Sequence, residues 1–289
     1  MGAARGPIAG ARDSAVAPLA ERSGVARIAE AFARAHADGR AAALMPYMMG
    51  GYPDLETSRE IGRAYVEGGA DLVELGVPFS DPLADGPVIH AAATAALRAG
   101  VSTAAVLELA AELSASVPVI LMCYINPILA RGLERFCDEL GAAGASGLIV
   151  PDLPLEEAPA AREACARAGL AFVPLVAPTS SEARVREIAR AATGFLYAVS
   201  VTGTTGERGA AGGGVADVLA HARAAAGSRV PIALGFGIST PEQAADAAAA
   251  GADGVIVGSR LVRAAGEGSG APGEIVALVR GFAAALTTA

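Results

Sequence analysis

Lysine is missing from this chain: the 22 residues counted as Lys+Arg are all arginine. Without a lysine amine there is no Schiff base to a carbonyl substrate and no covalent anchor for pyridoxal phosphate. A Walker A phosphate loop, which needs Gly-Lys-Ser/Thr, is excluded as well. Histidine is scarce. His36, His90 and His221 stand far apart with no HxH or HExxH pairing, so no metal centre built on histidine is expected. Cysteine is limited to Cys123, Cys137 and Cys165, without CxxC spacing. Three scattered thiols fit buried small side chains in a reducing, cytoplasmic setting better than disulfides. No apolar run reaches the roughly 18 residues that span a bilayer. Basic charge is also in deficit: the net charge is -8, which argues against a nucleic-acid surface. Residues 1–24 lack the apolar core of roughly 7–15 residues that a secretory leader needs. Rich in Ala, Gly, Pro and Arg, they read as a mobile tail ahead of a single domain spanning 25–289.

What the chain does have is alternation. It is 53% hydrophobic over 289 residues, enough for one large core. Strand-like runs fall at Ala42–Met48, Leu72–Val77, Val117–Tyr124, Gly147–Pro151, Ala171–Val176, Phe195–Ser200, Ile232–Phe236 and Gly254–Gly258. Between them lie Ala-rich segments of helical length, such as Leu55–Glu67, Leu155–Ala168, Ser181–Ala192 and Pro241–Ala250. A glycine closes many of these segments just before the next strand, as in Glu67-Gly-Gly-Ala-Asp71, Ala142-Ala-Gly-Ala145, Arg167-Ala-Gly-Leu170 and Ala250-Gly-Ala-Asp253. That is the C-cap glycine of a helix turning back into a parallel strand. Eight such units without a change in composition predict a closed (β/α)8 barrel, a TIM barrel. Extra helical segments occur after the second strand (Val88–Arg98, Thr103–Ser114) and around the eighth (Leu261–Ala264, Pro272–Leu286). An open doubly wound sheet is the alternative. It would more often show GxGxxG after the first strand, where this chain has Met48-Met-Gly-Gly-Tyr-Pro53.

One stretch stands out chemically: Glu74-Leu-Gly-Val-Pro-Phe-Ser-Asp-Pro-Leu-Ala-Asp-Gly-Pro87. Glu74 interrupts a buried strand, where an ionised carboxylate needs a partner or a task. The turn-rich loop behind it carries Asp81 and Asp85. Two carboxylates, Glu74 and Asp85, suggest acid/base chemistry; a buried arginine pair for Glu74 and a turn role for Asp85 are the structural alternatives. Asp81, before Pro82, reads mainly as a turn residue; Asp152, in Val150-Pro-Asp-Leu-Pro154, could support the site or a partner contact, with a turn role as the alternative. His90 is given no role. Tyr197 on the sixth strand could pack inside the barrel with its hydroxyl toward the site. Gly235-Phe-Gly237 ends the seventh strand and Gly258-Ser259 the eighth, on adjacent barrel loops. Glycine amides, a serine hydroxyl and a short helix start suit a phosphoryl group. The loop Thr202–Gly214 is long and glycine-dense, as expected of a lid over such a substrate, or of an ordinary flexible connection.

Taken together and in order, Glu74–Pro87, Val150–Pro154, Thr202–Arg208, Gly235-Phe-Gly237 and Gly258-Ser259 resemble the alpha subunits of tryptophan synthase, from about residue 25 onward. The resemblance implies retro-aldol cleavage of indole-3-glycerol phosphate to indole and glyceraldehyde 3-phosphate. It makes Glu74 the acid/base, sets Asp85 against the indole N–H, and places Tyr197 near the reacting carbons. It assigns phosphate binding to Gly206, Gly235, Gly237, Gly258 and Ser259, and the indole pocket to Tyr47, Leu121, Met122 and Tyr124. Tyr47 departs from the family's phenylalanine-like residue. The resemblance further implies a beta subunit in an αββα complex, with pyridoxal phosphate held by that partner and none in this chain. Two other functions are compatible with such a barrel: an isomerase of phosphorylated sugars, or a non-catalytic activating subunit.

Overall fold

The computed structural model describes residues 23–199, 215–227, 230–235, 237–266 and 272–287. Its elements run α1 (Gly24–Ala37), β1 (Ala43–Met49), α2 (Leu55–Glu67), β2 (Val73–Gly76), α3 (Pro87–Arg98), α4 (Thr103–Ser114) and β3 (Val119–Met122). There follow α5 (Ile125–Arg131), α6 (Leu133–Ala142), β4 (Gly147–Ile149), α7 (Pro159–Arg167), β5 (Ala171–Phe172), β6 (Leu175–Val176), α8 (Glu182–Ala191) and β7 (Leu196–Val199). The chain closes with α9 (Val215–Ala226), β8 (Ile232–Gly235), α10 (Pro241–Ala249), β9 (Gly254–Val257), α11 (Ser259–Gly266) and α12 (Pro272–Ala285).

The described strands pair in parallel in the order β5-β4-β3-β2-β1-β9-β8-β7-β6. β5 and β6 are two halves of one stave. Pro174 between them has no N–H to give to a ladder, so the regular pairing breaks there. Bonds from Val173 N to Leu148 O (3.0 Å) and from Tyr197 N to Pro174 O (3.1 Å) carry the ring across the break. The eight predicted strands are thus present, closed into the predicted barrel.

The junction glycines explain how each helix returns to the sheet. Gly69, Gly144, Gly169 and Gly251 all have φ between 72° and 100°. In each case the next residue's amide reaches back five positions: Ala70 to Tyr65, Ala145 to Leu140, Leu170 to Cys165, Ala252 to Ala247. This is the Schellman closure, which a left-handed glycine completes at least cost.

Two apolar layers follow from the period of two along the strands. Val73, Leu75, Val119, Leu121, Val255 and Val257 face the helices. Met45, Tyr47, Met49, Ile120, Met122, Ile149, Tyr197, Ala233 and Ile256 fill the interior. Helix α1 closes the N-terminal mouth: Ile28, Ala31 and Ala35 join the interior layer, and Phe32 meets Phe195 at 6.1 Å between ring centroids. Buried Arg27 holds that plug to the barrel, bonding the carbonyls of Gly144 and Val117. The C-terminal mouth is left for chemistry.

The tail boundary moves slightly. Ser23 caps α1 and buried Gly24 is its first residue, because a side chain at 24 would strike the Ser146 carbonyl. Residues 1–22 of the expected tail lie outside the described residues. Among the described residues no single helix is long and apolar enough to cross a membrane.

Candidate active site

Glu74 sits in β2 with Tyr47 of β1 and Ile120 of β3 as its register partners, both in the interior layer. Its side chain therefore points into the barrel rather than under the helices. It is 1% exposed, and its Oε2 has no hydrogen-bond partner among the described residues. No arginine there pairs with it. Burial pushes its carboxyl up to about 8, helped by the negative charge of Asp85. Two residues on, Gly76 shares the inward face. The Tyr47 hydroxyl occupies the space a side chain at 76 would need, 2.1 Å from where a Cβ would stand. The glycine thus makes room for the phenol beside the acid.

Asp85 lies in the loop between β2 and α3 and is half-buried. Burial raises its carboxyl to about 6, while a hydrogen bond from Tyr124 and the nearby His90 pull it back down. Around the two acids stand three phenols. Burial raises Tyr47, Tyr197 and Tyr124 above the usual tyrosine range, and the charges of Glu74 and Asp85 add to it at Tyr47 and Tyr197. All three hold their protons at neutral pH and can act as donors. Tyr197 on β7 lies over Gly235, where a Cβ would meet its hydroxyl at 2.2 Å.

The glycine motifs come next around the ring, since β9 and β8 follow β1 in the sheet. Gly258 lies directly behind Tyr47, whose Cβ would be 3.7 Å from one placed on the glycine. Its carbonyl accepts from Leu261 N and Val262 N, so α11 starts at Ser259. The first amides of that helix, at Ser259 and Arg260, precede any intrahelical bond and point out of its N-terminus. Gly237 takes φ 81°, a left-handed turn past the end of β8. A bare, amide-rich corner beside a phenol-lined acid can seat an anion next to an apolar ring. Gly206 and the proposed lid, Thr202–Gly214, lie outside the described residues. Among the described residues no group of three or more His, Cys, Asp or Glu could hold a metal.

The structure brings Glu74, Asp85, Tyr47, Tyr124, Tyr197 and Met122 to one mouth. Leu121 is a correction. It pairs with Leu75 and Leu148, all in the layer facing the helices, one residue out of phase with Ile120 and Met122. A side chain there cannot enclose a substrate in the barrel. Ile120, beside Glu74, is the residue overlooked, and counting by twos from the inward Met122 finds it. Asp152 proves structural: its Oδ1 accepts from Ile125 N at 2.9 Å and starts α5. Asp81, exposed, accepts from Ser80 Oγ at 2.6 Å, a turn contact. His90, given no role from sequence, is close enough to Asp85 to lower its pKa.

Comparison with known proteins points one way. Residues 32–283 match the family described as tryptophan synthase alpha chain. The tryptophan synthase alpha chain of Synechocystis sp. is 50% identical over 249 residues, 86% of this chain and 93% of the relative. That of Prochlorococcus marinus is 49% identical over 240 residues, 82% and 86% of the two chains. Among solved structures, one of Mycobacterium tuberculosis tryptophan synthase superposes with a TM-score of 0.83 at 38% identity, covering 93% of this chain and all of that one. A chain from a study of mutual activation in the Pyrococcus furiosus tryptophan synthase a2b2 complex gives 0.76 at 34% identity, covering 84% and 98%.

Proposed function

The chain belongs to the tryptophan synthase alpha chain family, and from that premise we propose how its side chains divide the work of the alpha reaction. That reaction cleaves indole-3-glycerol phosphate to indole and glyceraldehyde 3-phosphate. The family's alpha chain works without a cofactor; pyridoxal phosphate belongs to the beta subunit.

Indole must become a leaving group before the carbon–carbon bond can break. Glu74, pushed up to about 8, is protonated at neutral pH and delivers that proton to indole C3. The resulting carboxylate takes a proton from the adjacent substrate hydroxyl as the bond breaks and the aldehyde forms. One proton given and one taken returns Glu74 to its starting state. Asp85, at about 6, is ionised at the same pH and faces the positive N–H of the indolenine-like cation. Two carboxyls in different surroundings thereby hold opposite protonation states. Tyr197 borders the reacting carbons, while Tyr47, Met122 and Ile120 bound the ring. Gly235, Gly237, Gly258 and Ser259 take the phosphate, joined by Gly206.

The observation that carries this reading is the Oε2 of Glu74, buried in the barrel interior and unpartnered among the described residues. The test is the pH dependence of kcat/KM for indole release. We expect a bell with limbs near 6 and 8, the acid limb absent in Asp85→Asn. A flat profile from pH 5 to 9 overturns the assignment.

The chain works with a beta subunit; the solved relatives include an a2b2 complex. We place the contact on the loop between β2 and α3, where Leu83 is 88% exposed, and on Asp152–Pro154. Buried free thiols at Cys123, Cys137 and Cys165 support a reducing, cytoplasmic location. The barrel from residue 25 onward is taken as the catalytic unit.

A further inference from the structure

We propose that Tyr124 is a positioning residue for this reaction: its hydroxyl fixes Asp85, and the loop that carries it, in the pose that meets the indole N–H. The inference rests on the reading of Asp85 given above and assigns a task to a side chain otherwise taken as a wall of the pocket.

Tyr124 stands at the C-terminal end of β3, immediately before α5. Its hydroxyl oxygen accepts from Ala84 N at 3.0 Å. The Asp85 carboxylate lies within reach of the same hydroxyl, and a bond from it lowers the Asp85 pKa. A phenol has one proton to give and lone pairs to receive, and both capacities are spent on consecutive residues of one loop. The ring itself stacks on Phe79, at 5.2 Å between centroids and 28° between planes. One side chain thus grips the loop at positions 79, 84 and 85.

The loop has few holds of its own. Between Val77 and Pro87 there is no helix or strand, Leu83 is exposed, and the Ser80–Asp81 bond is local. Tyr124 is braced from the other side, where the next amide, Ile125 N, donates to Asp152 Oδ1 at 2.9 Å. A path of hydrogen bonds therefore runs from the β4 loop through Tyr124 to Asp85.

Asp85 is faced by Glu74 of β2, Tyr47 of β1, Tyr197 of β7, His90 of α3 and Tyr124. Asp152 in turn faces Tyr124. Of these groups Tyr124 acts on the Asp85 carboxylate through a hydrogen bond. A donor to the charged form favours that form and opposes the burial that would neutralise it. Losing the hydroxyl leaves burial to raise Asp85, with His90 still opposing it.

The experiment is Tyr124→Phe, which keeps the ring and its stacking on Phe79. The variant is assayed for indole release in complex with the beta subunit from pH 5 to 9. The expected result is an acid limb of kcat/KM moved upward by about one pH unit, the scale of one hydrogen bond to a charged group. The loss is then about fivefold at pH 6, nearing tenfold at pH 5, and within about threefold at pH 8, and Asp85→Asn/Tyr124→Phe is no worse than Asp85→Asn alone. A uniform loss at every pH, or an unmoved limb, overturns the role of Tyr124. The position of a limb does not depend on how much of the variant folds. Full activity in Asp85→Asn would instead strike down the reading of Asp85 itself, so the two failures are distinguishable.

Discussion

Asp71 and Glu74 are three residues apart at the start of and within β2; both are buried acids, and they are treated in opposite ways. Asp71, 7% exposed, has its Oδ2 occupied by Leu44 N at 2.8 Å and by the Arg40 guanidinium at 2.6 Å. It ties the first amides of β1 to the mouth of β2. The pattern recurs at the start of β9, where Asp253 Oδ2 accepts from Ile232 N at 2.7 Å and from Arg223. Both belong to the same Gly-Ala-Asp junction, at the end of the barrel plugged by α1. Glu74, more deeply buried, is left with an unsatisfied oxygen among the described residues. Buried polar atoms are nearly always paired, and leaving one unpaired costs stability. One end of the strand is built to hold, the other to react, which is the division of labour expected of the two faces of a barrel.

The largest effect expected from that contrast is on catalysis. Glu74→Gln keeps the shape of the side chain and removes the exchangeable proton. It should lower kcat/KM for indole release by roughly 10²–10⁴-fold, the usual worth of a general acid/base. The variant should unfold at a temperature no lower than the wild type at neutral pH. A variant that is inactive because it is unfolded, visible by circular dichroism, would erase the distinction between the two acids.

The second effect is the dependence of stability on pH. The Glu74 carboxyl moves from 4.5 in an unfolded chain to about 8 when folded. The folded state therefore binds more protons between those values, and stability from this group falls as pH rises through that window. On the order of 4 kcal/mol is at stake across it. Gln cannot titrate, so Glu74→Gln should gain on the wild type steadily from pH 5 to 8.5 in urea unfolding. A constant difference between the two would mean that Glu74 is solvated or paired in the folded protein.

How much of this was readable from residues alone differs by feature. The barrel was legible because glycine-terminated helices and apolar runs repeat, and each predicted strand falls within a residue or two of its place. Glu74 was legible because a carboxylate in an apolar run is conspicuous. Leu121 was misplaced because family resemblance does not respect the alternation of side chains, whereas the inward Ile120 and Met122 do. The split of the fifth stave at Pro174 could have been foreseen from its missing N–H. The roles of Asp71, Asp152 and Tyr124 could not, since each depends on an amide or carboxylate far away in sequence, brought close only by the ring.

The third effect belongs to Asp71. Removing its carboxylate with Asp71→Ala strands Leu44 N–H and Arg40 together. Arg40 is partly exposed, so the cost should fall below that of a fully buried pair, at about 2–3 kcal/mol in urea unfolding. The folded fraction should keep kcat/KM within about threefold, because the residue lies at the opposite mouth from the phenols.

The smallest effect tests whether the twin junction at Asp253 is worth as much. Its side chain and that of Arg223 are each more than a third exposed, against 8% and 18% for Asp71 and Arg40. Water screens the outer pair, and ion pairs of that kind contribute little. Asp253→Asn keeps an oxygen for Ile232 N and removes only the charge, so the loss should stay under about 1 kcal/mol. A loss matching that of Asp71→Ala would show that the pairing with Arg223 matters in spite of its exposure, since the bond to the strand amide is kept. A smaller loss is the result expected of a screened outer pair.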